Sequence, residues 1–318
     1  MHVLLTGATG FVGRHTAPLL AARGHRLRAA LRTAPGTTSK GPWEPAIVGD
    51  IGPDTDWSAA VAGMDAVIHM AARVHVMRDT AADPLAEFRR VNTHGTVRLA
   101  EQAAAAGVKR FVFLSSIKAM VDESRPAPLD AAAPSDPHSP YGISKLEAER
   151  ALAAISARTG MELVVIRPPL VYGPGAAGNM RALLKLVATG LPLPLGGIHN
   201  RRSLIYVGNL ADAVATVLEH PKAAGRTFLV QDGDPVSTAD LVRAIAAALR
   251  RPARLIPVPH GLMALGAALT GTRAVFDRLA GTLTVDDAPI RDELGWRPPH
   301  DLASGLRATA EWFKASRG

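Results

Sequence analysis

The sequence predicts an α/β fold: a doubly wound parallel sheet with a smaller C-terminal lobe. Three observations carry that expectation. Short apolar runs alternate with helical patterns through the first half of the 318 residues. Those runs are continuously apolar, which marks strands buried on both faces. Glycines recur at a spacing of three directly after the first run, in LTGATGFVG from Leu5 to Gly13.

The elements follow in order. HVLLT (2–6) is the first strand, and a helix is expected from Phe11 to Arg23. Pro18 falls inside that helix. A mid-helix proline removes one hydrogen bond and costs about 3 kcal/mol if nothing relaxes, so a bend or a displaced first turn is expected there. RLRAAL (26–31), AIV (46–48), AVIHM (66–70), FVFLS (111–115) and LVVIR (163–167) read as further strands. Helical patterns lie between them, at 85–106 and 145–158. Strands alternating with helices at this pitch build a parallel sheet. After Arg167, the stretches 168–179 and 190–202 are rich in proline and glycine and read as long functional loops. The last third mixes helices with two short strands near 227–230 and 254–257.

Composition removes several function classes. With no cysteine there is no disulfide scaffold, thiol nucleophile or thiolate metal site. None of the histidines sits at metal-ligand spacing, so no metal is expected. His69 is expected to pack beside a cofactor, and His94 near Asn92. The net charge of +8 suits an anionic partner, but the arginines are scattered and form no long basic run. Three tyrosines and seven phenylalanines are few for stacking bases, and nucleic acid is not expected. The first strand begins by Val3, leaving no room for a signal peptide, and the longest apolar run (261–271) is too short to span a bilayer. The expectation is a soluble cytoplasmic protein. The stretch 260–281 is apolar enough for a partner or membrane-surface helix, the alternative being a lid or core helix of the small lobe.

The glycine loop calls for a ligand. Gly7 allows a tight reversal after the strand, Gly10 lets a pyrophosphate approach, and Gly13 lets the helix pack closely. Amides at the helix N-terminus, including those of Phe11 and Val12, then face phosphates. The spacing is GxxGxxG, and an ordinary glycine turn is the alternative. At the end of the second strand, where a carboxylate would hold the ribose of NAD, stands Arg32. An arginine suits a 2′-phosphate, so NADP(H) is favoured and NAD(H) remains possible. Asp50 and Ile51 follow the third strand, where an adenine amine could be held. Ala71 and Ala72 are small enough to let a cofactor lie flat after the fourth.

SPYGISKLEAER (139–150) begins a helix, with Tyr141 and Lys145 four apart on one face. A phenol near its usual pKa of about 10 is a poor base at neutral pH. A nearby ammonium and a cofactor cation are expected to lower it, so that Tyr141 gives or takes a proton while hydride moves. Lys145 would also hold the nicotinamide ribose. Ser116 could hydrogen-bond the same substrate oxygen.

TGATGFVG, HMAA, VNTHGT, FLSS and YGISK together resemble an extended short-chain dehydrogenase/reductase, of the NAD-dependent epimerase/dehydratase family, across essentially the whole chain. The resemblance implies a Rossmann-type sheet over residues 1–167 and about 203–232, with a substrate-binding lobe from 168–202 and 233–318. It adds Asn92 and Ser115 to the cofactor site. IRPPLVYGPG and RRSLIYVGNLADAV resemble the substrate side of nucleotide-sugar members, which implies that Asn179, Arg202 and Arg278 contact the nucleotide diphosphate. The C-terminal motifs look closest to bacterial UDP-sugar 4-ketoreductases and epimerase-like enzymes of surface polysaccharide synthesis. The resemblance therefore implies an NAD(P)H-dependent oxidoreductase acting at C4 of a nucleotide sugar. Reduction of a UDP-2-acetamido-2,6-dideoxy-4-ketohexose is the first expectation and a UDP-hexose 4-epimerase the alternative. A reading of another class is a non-catalytic NADP-sensing protein, which would be expected to lose Ser116, Tyr141 or Lys145. Dehydratases of the family carry an Asp–Glu pair just after the catalytic Ser/Thr; here Ile117 and Lys118 stand there, and Asp122 and Glu123 lie further along. The helices at 85–106 and 142–158 could form a four-helix interface in a homodimer.

Overall fold

Each parallel strand needs a crossover to return the chain, and the sequence supplies a helix for most of them. The computed structural model describes the chain apart from residues 35–40, 75–81, Glu123, Pro126, Thr272 and 317–318, and apart from the side chains of His260, Ala274, Val275 and Arg278. β1 (His2–Thr6) leads through the glycine loop into α1 (Gly13–Ala22) and β2 (Arg26–Leu31). β3 (Glu44–Ile47), α2 (Ser58–Val61) and β4 (Ala66–His69) follow. A long helix then begins as α3 (Pro84–Phe88), widens to a π-helical turn at Arg89–His94 and continues as α4 (Gly95–Ala105). β5 (Arg110–Leu114), α5 (Pro140–Thr159) and β6 (Glu162–Arg167) complete the six strands read from the sequence.

The sheet has seven strands in the order β3-β2-β1-β4-β5-β6-β9, all pairs parallel, with β9 at Thr227–Leu229. The first six are in Rossmann order, and the direction of winding reverses between β1 and β4, which opens a crevice at their C-terminal ends. One apolar cluster fills the face under α1 and α7 (Val207–Glu219), including Leu20, Val214 and Phe228. A second fills the face under α2, α4 and α5, including Trp57, Leu99, Phe111 and Leu152. β3 is an edge strand, so Pro45 removes no ladder donor that the sheet needs.

The rest of the chain builds around a third apolar cluster. β7 (Leu170–Tyr172) pairs with β8 (Leu204–Tyr206), and α6 (Gly178–Ala188), α8 (Thr238–Leu249) and α12 (Leu302–Ala315) pack beside them. α9 (His260–Leu269) and α10 (Arg273–Ala280) lie against each other, and α11 (Ala288–Leu294) packs near β9. A buried polar centre pins this region. Asp232 accepts from the Tyr172 hydroxyl at 2.7 Å, the Tyr206 amide at 2.8 Å and Asn209 Nδ2 at 2.7 Å. Burial pushes the Asp232 carboxyl above its usual range, and those three donors draw it back.

Several expectations change. No strand forms at 254–257. Residues 193–196 and 254–256 exchange three backbone bonds, with a single bridge between Leu193 and Leu255. Pro192, Pro194, Pro252, Pro257 and Pro259 lack the donors to extend the ladder. The stretch 168–179, read as loop, contains β7 and the start of α6. α1 begins at Gly13, two residues later than expected. Pro18 sits exposed within it, so the bond lost is the one to the carbonyl of exposed Arg14. His94 is exposed, whereas Asn92 is buried.

Candidate active site

The glycine loop is shaped by contact. Gly7 has φ +71°, and a Cβ there would lie 2.8 Å from the Ala71 amide nitrogen. At Gly13 a Cβ would fall 2.1 Å from the Gly7 carbonyl oxygen, so any larger residue would push the helix off the loop. Gly10 is exposed at the mouth and donates its amide to Gly7 at 2.9 Å. No side chain caps α1, which leaves its first turn of amides to a ligand. These features fit the pyrophosphate of a dinucleotide. Phe11 reaches across to the third apolar cluster, and His15 Nε2 donates to the Pro174 carbonyl at 2.9 Å.

The adenosine end differs from the sequence reading. No acidic residue adjoins Arg32 in the sequence, yet Asp50 meets it in space, Oδ1 at 2.7 Å from Arg32 Nε. Both side chains are exposed. Ile51 turns inward under α4, where a Cβ on Gly95 would strike it. Ala71 donates its amide to Thr6 Oγ1 at 3.1 Å, and Ala72 follows it along the crevice. Thr6 Oγ1 also lies 2.7 Å from His69 Nδ1, and His69 Nε2 is 2.8 Å from Thr96 Oγ1. Burial, then the charge of Lys145, pushes the imidazole down to about 3. His69 is a buried, neutral imidazole stacked on Phe113.

Asn92 uses its amide within the protein. Its Oδ1 accepts from the Arg73 amide at 2.8 Å, and its Nδ2 donates to the Arg73 carbonyl and to Ser144 Oγ, both at 3.0 Å. It therefore braces the loop after β4 against α5. Ser115 likewise uses its side chain within the protein. Its hydroxyl donates to Glu149.

Ser116, Tyr141 and Lys145 converge at the end of β5. Tyr141 hydrogen-bonds to Ser116, whose Oγ accepts from the Lys118 amide at 3.1 Å. Lys145 is buried, donates to the Leu114 carbonyl at 2.7 Å and lies over the Phe113 ring at 3.8 Å. Burial pushes the lysine down to about 7, against the pull of Glu149. Burial pushes the tyrosine up to about 12, and the Ser116 bond offsets only part of this. The shift is opposite to the sequence expectation, because the ammonium is turned to a carbonyl and the phenol is desolvated.

Two supports were missed in the sequence. Glu149 accepts from Arg167 Nε at 3.1 and 3.2 Å in a buried pair, and Arg167 donates again to the Ala131 carbonyl at 3.1 Å. The signal was present: Tyr141, Lys145 and Glu149 recur every four residues on one face of α5. Asp122 holds the other end. Its carboxylate accepts from the amides of His138 (2.6 Å) and Ser139 (2.7 Å) and from Ser139 Oγ (2.6 Å). Ser139 in turn caps α5 by accepting from the Gly142 amide at 3.1 Å. Lys118 Nζ is bound to Asp122, and Ile117 is buried, so no free acid–base pair follows Ser116. Glu123 lies outside the described residues.

The residues expected on the substrate side are less closely gathered. Arg202 is half-buried and donates to the Gly281 carbonyl at 3.1 Å. Asn179 is exposed on the first turn of α6. The side chain of Arg278 lies outside the described residues. Among the described residues no cluster could hold a metal ion.

A dinucleotide cradle opening onto a Ser–Tyr–Lys cluster defines a nicotinamide-dependent enzyme of the short-chain dehydrogenase/reductase type. Comparison with known proteins narrows the class. The chain belongs to the NAD dependent epimerase/dehydratase family, whose model matches residues 3–230. It is 44% identical over 314 residues to a UDP-glucose 4-epimerase of Vibrio cholerae, covering 98% of this chain and 95% of that one. It is 27% identical over 325 residues to N-acetyl-alpha-D-glucosaminyl-diphospho-ditrans,octacis-undecaprenol 4-epimerase of Escherichia coli O157:H7, covering 98% and 95%. Among solved structures it resembles MoeE5 in complex with UDP-glucose and NAD, with a TM-score of 0.77, 25% identity and all of both chains covered.

Proposed function

We propose that the protein is a UDP-hexose 4-epimerase acting on glucose/galactose forms or their N-acetyl counterparts. The observation that carries this is the Tyr141 phenol bonded to Ser116, with no second acid–base pair beside it among the described residues. The identity with the Vibrio cholerae 4-epimerase supports the same choice. Ser116 and Tyr141 would hold the C4 oxygen. Bound in the Gly7–Gly13 cradle, NAD would supply the acceptor for the C4 hydride and the donor for its return. Tyr141 takes the C4 hydroxyl proton as hydride leaves and gives it back when the other face of the 4-keto sugar is reduced. Lys145, a short reach from Tyr141 along α5, would hold the nicotinamide ribose and favour the phenolate. Arg202, Asn179 and Arg278 would hold the diphosphate, fixing the remote end while the sugar turns. Ile117 and Lys118 offer no route to elimination of water.

Reduction of a UDP-4-ketohexose would use the same residues. Its cofactor argument rested on Arg32 as a free cation, and the pairing with Asp50 weakens that argument. NADP preference is accordingly the second reading and NAD the first. Product NMR separates the two activities. Interconversion of UDP-glucose and UDP-galactose, or of the N-acetyl pair, without added reductant supports the epimerase. Stoichiometric loss of NADPH on a UDP-4-ketohexose, with no interconversion, replaces it with the reductase. A cytoplasmic homodimer, formed through α4 and α5, completes the proposal.

A further inference from the structure

The apolar stretch at 260–281 is not absorbed by this function. α9 turns Met263 and Ala267 inward, towards the third apolar cluster and its surroundings. Its other face carries Leu262, Leu265 and Leu269, which are 62%, 58% and 81% exposed. Their spacing places them on one side of the helix. Three more exposed side chains lie on neighbouring segments: Leu186, Leu191 and Ile256. The segments are joined, since the Leu193 amide donates to the Arg254 carbonyl and the Ile256 amide to the Leu193 carbonyl. Six of the nine large apolar side chains found exposed among the described residues thus belong to this one region. Apolar exposure on that scale marks an interaction surface.

The charge around it is one-sided. Between Asp240 and Asp277 there is no acidic residue, and five arginines stand in that interval. Arg243 and Arg273 are paired with those two aspartates. Arg250, Arg251 and Arg254 are exposed and form no ion pair with another described residue. The segment from Leu163 to Ala211, which contains Leu186 and Leu191, also has no acidic residue. A two-fold copy of this surface would bring unpaired guanidiniums towards unpaired guanidiniums. An anionic lipid surface complements both features, taking the leucines into its interface and the arginines among its headgroups. The ten residues of α9 rise about 15 Å, half of a hydrocarbon core of about 30 Å, so the helix would lie in the surface and not cross it.

We propose that this face, α9 with the Arg250–Ile256 segment, docks the protein peripherally on an anionic bilayer. α10, which packs against α9, is tied to the substrate-side residues expected from the sequence. Asn200 Nδ2 donates to the carbonyls of Leu279 (3.0 Å) and Gly281 (2.8 Å), and Arg202 binds the same Gly281 carbonyl.

Sedimentation with vesicles tests this on the full-length protein. It should pellet with phosphatidylcholine–phosphatidylglycerol vesicles, stay in solution with phosphatidylcholine alone, and be released by high salt. The double variant Leu265→Glu/Leu269→Glu should bind at least about tenfold more weakly, with thermal stability and turnover of soluble substrate unchanged. Arg250→Glu/Arg254→Glu should weaken binding similarly, which guards against misfolding of the leucine variant. Failure of the unaltered protein to pellet with the anionic vesicles would overturn the proposal. Equal binding by both variants would do so too. So would light scattering that shows a dimer dissolved by the leucine substitutions, since a second copy would then cover the face.

Discussion

Two arginine–carboxylate pairs frame the crevice, and they stand in opposite surroundings. Arg167 and Glu149 lie beneath Ser115 with side chains 9% and 7% exposed. Arg32 and Asp50 lie at the adenosine end with side chains 78% and 73% exposed. Contact chemistry is the same, but burial sets what each pair does. The inner pair has exchanged hydration for protein partners, so every lone pair and donor must be matched. It forms the floor beneath Lys145 and Ser115. The outer pair is hydrated and screened, contributes little to stability, and can exchange partners at little cost.

Activity gives the largest effect expected from the region above the floor. Tyr141→Phe should lower kcat by at least about a hundredfold, because the proton acceptor is removed. Cofactor binding and the thermal transition should hardly move. A variant that keeps most of its kcat would take Tyr141 out of the chemistry.

Glu149→Leu would break the inner pair from one side. It strands the Arg167 guanidinium in a buried site, and a loss of about 3–5 kcal/mol is expected from urea unfolding. Asp50→Ala, the matching change outside, should cost less than about 1 kcal/mol. Equal losses would refute burial as the distinguishing property.

The pH dependence of stability sharpens the contrast. Lys145 sits at about 7 in the folded protein and at its ordinary 10.5 when unfolded. Across that window the unfolded chain holds a proton that the folded chain has released, so this group makes the cofactor-free protein more stable as pH rises. Tyr141, pushed from 10.0 to about 12, opposes this only above its ordinary value. Denaturant curves between about pH 7 and 9 should therefore show a rise that Lys145→Met removes. An unchanged slope in the variant would locate the titration elsewhere.

Arg32→Ala should give the smallest change in stability, within about 1 kcal/mol. Its effect is expected in cofactor choice, as a lower kcat/KM for NADP(H) with little change for NAD(H). If the ratio stays fixed, the outer pair takes no part in reading the ribose.

The inner and outer pairs also differ in how far the sequence discloses them. β1 and β2 were legible to the residue because continuous apolar runs leave only a buried parallel sheet. Gly7, Gly10 and Gly13 were legible because their spacing has a steric purpose. Glu149 was discoverable from the period of α5 and was overlooked. Asp50 lies eighteen residues beyond Arg32 and just past another strand, and only the pairing of β2 with β3 brings them together. The bond of Ser115 to Glu149 was not legible, because adjacent serines at a strand end point to opposite sides and the sequence does not say which faces the helix. β7 and β8, three residues each, are too short for periodicity to distinguish from loop. The reverse error at 254–257 came from an apolar stretch whose prolines forbid a ladder.

The widened turn at Arg89–His94 interrupts one long helix at the place where Asn92 sits. An α-helix advances about 100° per residue, and a π turn accommodates one residue more than regular winding would. The extra residue is taken up within the turn, so α4 keeps the phase of an uninterrupted helix and its apolar stripe stays on the sheet. Losing one residue between Arg89 and Val91 would therefore leave α4 in place, and the cost would fall on the turn itself, where Asn92 makes its bonds to Arg73 and Ser144.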